Sequence, residues 1–86
     1  MDQTVKKTLE DLHSKLSSVQ VDDEEKQGQL NDVIQSIRTI LDEPDSAHRL
    51  TLRDRLKNIS LMFDVDHPQV SSAIHKAMDI FVDAGF

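Results

Sequence analysis

The sequence predicts an all-α fold: four short helices forming two antiparallel hairpins, stacked as an up-down-up-down bundle or a coiled-coil-like variant of it. Three observations carry this. Apolar residues recur at spacings of three and four through most of the chain, beginning with Val5, Leu9, Leu12, Leu16 and Val19, which is the period of a helix face. Glycine and proline number two each, too few to punctuate a series of short strands. The periodic runs are interrupted only at short polar segments around Asp22, Pro44 and Asp66–Pro68, whose residue types start and stop helices.

With 86 residues the chain is expected to be one domain over residues 1–86, near the small end of what folds unaided. Apolar residues at 37% against 30% charged are enough for a core and argue against disorder. Cysteine is absent, which excludes disulfides and thiolate metal sites and suits a reducing, cytoplasmic setting. No run of about 18 apolar residues is present, so no membrane-spanning helix is expected. The start, Met1-Asp2-Gln3-Thr4-Val5-Lys6-Lys7, lacks the apolar stretch of a signal peptide. The formal charge of −6, from 10 Lys+Arg against 16 Asp+Glu, disfavours nucleic acid and anionic membranes as partners, since both demand concentrated positive charge.

The first helix is predicted over about residues 2–19, with Val5, Leu9, Leu12, Leu16 and Val19 as a narrow heptad seam. A seam this narrow needs one neighbouring groove, so the helix is expected at the periphery. Asp2 suits its N-cap or first turn. The second helix is predicted over about 22–42, opened by Asp22 with Glu25 at capping-box spacing. The acids Asp22, Asp23, Glu24 and Glu25 read as a first turn favoured by the helix dipole rather than as a metal cluster. Leu30, Val33, Ile34, Ile37, Ile40 and Leu41 cover an arc of about 120°. Gly28 lies opposite that arc, without a reason legible in the sequence.

Glu43-Pro44-Asp45-Ser46 ends the second helix, because the residue before proline is pushed out of the α region; Asp45 or Ser46 is placed to cap the third, predicted over about 47–63. There Leu52, Leu56, Ile59 and Phe63 share one face, while Leu50 and Leu61 project to nearly the opposite side. The fourth helix is predicted over about 67–84, with Asp66 as cap, Pro68 in the first turn and Gln69 reaching back. It is the most apolar of the four: Val70, Ala73, Ile74, Ala77, Met78, Ile80, Phe81, Val82 and Ala84 spread over about 200°. Such a helix touches neighbours on two sides. Gly85 is a natural left-handed terminator, and Phe86 is placed to fold back on Phe81.

A run ending in Phe63, then Asp66-His67-Pro68-Gln69-Val70, then a helix with Ala73, Ile74, Met78 and Asp79 closing on Ala84-Gly85-Phe86, resembles the small bacterial proteins grouped as domain of unknown function 4404. Leu9, Leu12-His13 and Leu16, with the Glu43-Pro44 break, fit the same family, so the resemblance covers essentially the whole chain. It implies a short all-helical bacterial protein. The family has no established activity, and the resemblance therefore transfers no functional residues.

Catalytic and cofactor chemistry has little to build on. There is no G-x-S-x-G turn, and Gly28 and Gly85 are too far apart to cradle a phosphate. No two of His13, His48, His67 and His75 stand four apart, as a helical metal pair requires. Asp64 and Asp66 begin like a calcium loop, but Gln69 occupies the position that needs glycine. The chain is expected to be no enzyme and to hold no cofactor.

Two surface features remain. Arg49, Arg53 and Lys57 form a stripe one turn apart, a candidate anion or partner stripe whose plainer reading is a solvated face. Leu50, Leu61, Met62, Met78, Ile80 and Val82 are apolar residues beyond what one hairpin buries, and are the candidate self-association set. The first expectation is a protein–protein interaction or scaffold module that self-associates through the third and fourth helices as a homodimer, or else binds another protein. The alternative is a monomeric bundle with an internal pocket for a small apolar ligand, lined with the help of Met62 and Met78. A nucleic-acid-associated regulator using Arg49, Arg53 and Lys57 ranks third.

Overall fold

The computed structural model describes residues 2–44 and 48–85, and among them it shows four helices and no strand: α1 (Gln3–Ser17), α2 (Glu24–Asp42), α3 (His48–Phe63) and α4 (Pro68–Asp83). Each helix starts and stops for local reasons. Asp2 caps α1, its carboxylate accepting from the backbone N–H groups of Thr4 (2.7 Å) and Val5 (3.4 Å). The helix ends at Ser17, short of Val19, where the Ser18 hydroxyl donates to the Lys15 carbonyl at 2.8 Å.

Two expected caps are corrected. The N-cap of α2 is Asp23, not Asp22; its carboxylate accepts from the Lys26 N–H at 3.1 Å. Lys26 then takes the place a capping-box Glu would occupy. At α4 the N-cap is His67, not Asp66, and no side chain caps it. Pro68 explains this. Its fixed φ and missing N–H suit the first helical position, so the residue before it becomes the cap and Gln69 falls one position early for reaching back. Asp66 instead pairs with Lys26 at 3.1 Å, joining the start of α2 to the α3–α4 turn. Gly85 follows α4 with φ of +72°, the left-handed end expected of it. The anticipated caps Asp45 and Ser46 and the fold-back of Phe86 lie outside the described residues.

The helices form a closed ring in which α1 packs on α2 and α4, and α3 packs on α2 and α4. α1 and α4 run in opposite senses. Lys15 and Leu16 of α1, with Val19 just beyond it, share a groove with Gln69, Val70 and Ala73 of α4, whereas Thr8, Asp11 and Leu12 share the next with Lys76, Ala77 and Ile80. The Cα radius of gyration is 12.0 Å, so the compact bundle is adopted and not an extended coiled-coil-like variant. Nor is α1 peripheral: in a four-cornered bundle even a narrow seam faces the diagonal and meets two neighbours.

All four helices contribute to one core. It comprises Val5, Leu9, Leu12 and Leu16, then Leu30, Val33, Ile37 and Ile40, then Leu52, Leu56, Ile59 and Phe63, then Val70, Ile74, Ala77 and Phe81. These are the seams read from the sequence, buried at 4% exposure or less. Among the described residues no helix is long and apolar enough to cross a membrane.

Candidate functional site: the outer face of α3 and α4

The α3 helix cannot hide all its apolar side chains, because they lie on opposite sides of it. With Leu52, Leu56, Ile59 and Phe63 turned inward, Leu50 and Leu61 are left 70% and 72% exposed. They flank a surface groove of about 680 Å³ between α3 and α4, lined also by Arg53, Asp54, Lys57, Ser60, His75 and Met78. Val82 stands one turn beyond Met78 on α4 and is 65% exposed. The two candidate sets thus converge, since Arg53 and Lys57 share the groove with Leu50, Leu61 and Met78.

Other candidates fall elsewhere. Ile80 lines the groove between α1 and α4. Met62 is half-buried and follows Arg55 by seven residues, which puts it on the side of α3 turned to α2. The expected pairing of Met62 and Met78 around one internal pocket is therefore corrected; the two methionines occupy different sides of α3. The Arg49 guanidinium donates to the Pro44 carbonyl at 3.1 Å, which commits it to the end of α2. Arg55, off the stripe, donates to the Ser36 hydroxyl and, at 3.5 Å, to the Asp32 carbonyl, tying α3 to α2. Val65 in the α3–α4 turn is 87% exposed.

A hydrogen-bonded chain that sequence reasoning missed starts from the groove, at Ser60 and His75. The Ser60 hydroxyl is 2.6 Å from His75 Nε2 and 3.2 Å from the Ser71 hydroxyl, which donates to Asp64 Oδ1 at 3.2 Å. The carboxylate only accepts, so the chain has a direction. With Ser71 donating to Asp64, Ser60 donates to Ser71 and His75 Nε2–H donates to Ser60. Any other order sets two hydroxyl lone pairs against each other. Ser60 and Ser71 are 3% and 2% exposed; unsatisfied, each would cost about 1–3 kcal/mol. The available signal was positional: both are small polar residues directly after a core residue, Ile59 and Val70.

The chain contains serine, histidine and aspartate but not in the order nucleophilic catalysis uses. Asp64 touches Ser71 and not His75, whereas a hydrolytic triad has the carboxylate hold the histidine. Ser60 lies inside a helix, where the surrounding backbone N–H groups are engaged in helical bonds and offer no oxyanion donors. The arrangement fixes the α3–α4 crossing. Elsewhere, His13 is half-buried beside Glu10, Arg38 and Asp42, with Nε2 buried and unpartnered. No three described His, Asp or Glu side chains converge as a metal site would need.

The family model of a domain of unknown function, DUF4404, matches residues 5–86 of the chain. The chain belongs to this family. DUF4404 carries no assigned function. No curated protein and no solved structure matches the chain.

Proposed function

We propose that this DUF4404 protein is a non-catalytic interaction or scaffold module that self-associates as a homodimer through the outer faces of α3 and α4. The observation that supports it most is the exposure of Leu50, Leu61 and Val82 beside Met78 on one face, outside a core that is already complete. Burying each such side chain contributes about 1.5–3 kcal/mol. A domain whose whole margin is about 5–15 kcal/mol gains substantially by covering them. The absence of cysteine suits a cytoplasmic home, bacterial if the protein follows its resemblance. Light scattering tests the reading. The mass of two chains is expected at high micromolar concentration, falling toward one on dilution; a strict monomer throughout would overturn it.

A second reading, a monomer binding a small apolar ligand, draws support from a different groove. Leu16, Val19, Val70 and Ala73 line a cleft of about 340 Å³ between α1 and α4, with Lys15 and His67 at its edge. That volume is within the range of small-molecule sites. A thermal-shift screen with fatty acids separates the two readings: a shift abolished by Ala73→Phe supports the cleft, and no shift removes it. No observation favours the nucleic-acid reading, since Arg49 is held at Pro44 and the net charge is −6.

A further inference from the structure

The exposed side of α3 carries a second regular strip, behind the one that enters the core. Leu50, Asp54, Lys57 and Leu61 follow one another at spacings of four, three and four. At 100° per residue they fall within an arc of about 60°. The buried strip of Leu52, Leu56, Ile59 and Phe63 repeats the same spacing two residues later, on the opposite side. Four-three-four is the seam of a coiled coil, and here the outer seam faces solvent: Leu50 and Leu61 are 70% and 72% exposed, and Asp54 and Lys57 are exposed between them. Lys26–Asp66 is the ion pair found among the described residues, and neither Asp54 nor Lys57 pairs with another described residue.

The order of residues in this seam is self-complementary in one orientation only. Reading Leu, Asp, Lys, Leu from either end exchanges apolar for apolar and acid for base, about a midpoint between Arg55 and Leu56. Antiparallel pairing with a second copy sets Leu50 on the partner's Leu61, and Asp54 on the partner's Lys57, each twice. Parallel pairing in register sets Asp54 on the partner's Asp54 and Lys57 on the partner's Lys57. We infer that the occupant of this face is a second copy of the chain, with α3 packed antiparallel on α3 of the partner through Leu50, Asp54, Lys57 and Leu61. The two charged pairs select the register, as polar seam residues do in coiled coils. The inference rests on the proposed self-association and deepens it.

The neighbouring helix fits this axis. Ser60 meets both Ser71 and His75 across the helix pair, so the level between residues 55 and 56 of α3 corresponds to about residues 77–78 of α4, at roughly 1.5 Å per residue. A two-fold axis at that height, perpendicular to the helices and lying in the face, stacks α4 on α4 of the partner with Met78 close to the axis. The groove beside Met78 is thereby covered.

Charge reversal with rescue by mixing tests the register. Sedimentation velocity is run at low salt on the wild type, Asp54→Lys, Lys57→Glu and an equimolar mixture of the two variants, with circular dichroism confirming the fold of each. Asp54→Lys puts lysine against lysine twice, and Lys57→Glu puts acid against acid twice. Each alone is expected to weaken the dimer by roughly tenfold or more. In the mixture every acid of one variant chain meets a lysine of the other, and association is expected to return to within about threefold of wild type. A wild-type dimer indifferent to both reversals, or a mixture that fails to recover, overturns the register while leaving self-association standing. A wild-type monomer overturns both.

Discussion

Helices α2 and α3 show what the same inward pattern leaves on the outside. Both bury a four-residue seam: Leu30, Val33, Ile37 and Ile40 in α2, and Leu52, Leu56, Ile59 and Phe63 in α3. Away from its seam, α2 presents Glu24, Glu25, Asn31, Asp32 and Gln35, all polar. The far side of α3 presents Leu50 and Leu61. Core formation explains α2 completely and α3 by half. The remaining half has the regular spacing of an interface strip, and the chain's functional reading is built on that difference.

The comparison breaks first if the two sides of α3 respond alike to truncation. Phe63→Ala is expected to cost about 3–5 kcal/mol in urea or thermal unfolding, while Leu61→Ala, measured at concentrations where the monomer prevails, changes stability by within about 0.5 kcal/mol. A similar loss at both positions would make Leu61 part of the core.

The polar chain between α3 and α4 comes next. Ser71→Ala removes the bridge between Ser60 and Asp64, and is expected to destabilise by about 1 kcal/mol. A double-mutant cycle with Asp64→Ala checks it: coupling indistinguishable from zero would mean that the Ser71–Asp64 bond contributes nothing in solution. At the start of α2, Asp23→Ala is expected to cost about 1 kcal/mol and Asp22→Ala within about 0.5 kcal/mol. Chemical denaturation of the two variants distinguishes the observed cap from the one anticipated, and equal effects would argue against both assignments. Gly28→Ala runs the other way. Gly28 has no positive φ, and a Cβ there meets nothing within 4 Å, so alanine is expected to raise stability by about 0.8–1 kcal/mol. An unchanged midpoint would show that the glycine does something the folded contacts do not reveal.

The core was legible in the sequence because periodicity alone determines it: each seam residue of the first three helices named from its spacing, Val19 included, is buried or packed against the core. Caps were less legible. Asp22 and Asp23 are both acids followed by acids, and only the path of the chain chooses between them. Asp66 was claimed by Lys26, distant in sequence and adjacent in space. The site was legible in parts. Leu50, Leu61, Arg53 and Lys57 were singled out from separate arguments, but that they line one groove depends on how α3 rotates against α4. The roles of Asp54, Ser60 and Ser71 depend on the same rotation.

The central claim, that the outer face of α3 meets the same face of a second copy, is tested most directly by disulfide trapping, for which a chain without cysteine is well suited. Leu50→Cys and Leu61→Cys, one of them labelled with 15N, are oxidised separately and as an equimolar mixture, and the light, heavy and mixed cross-linked dimers are identified by mass. The account predicts that the mixed 50–61 dimer forms fastest and dominates, because those positions face each other across the antiparallel seam. Equal trapping of all three combinations, or none above the rate of random collision, would contradict it.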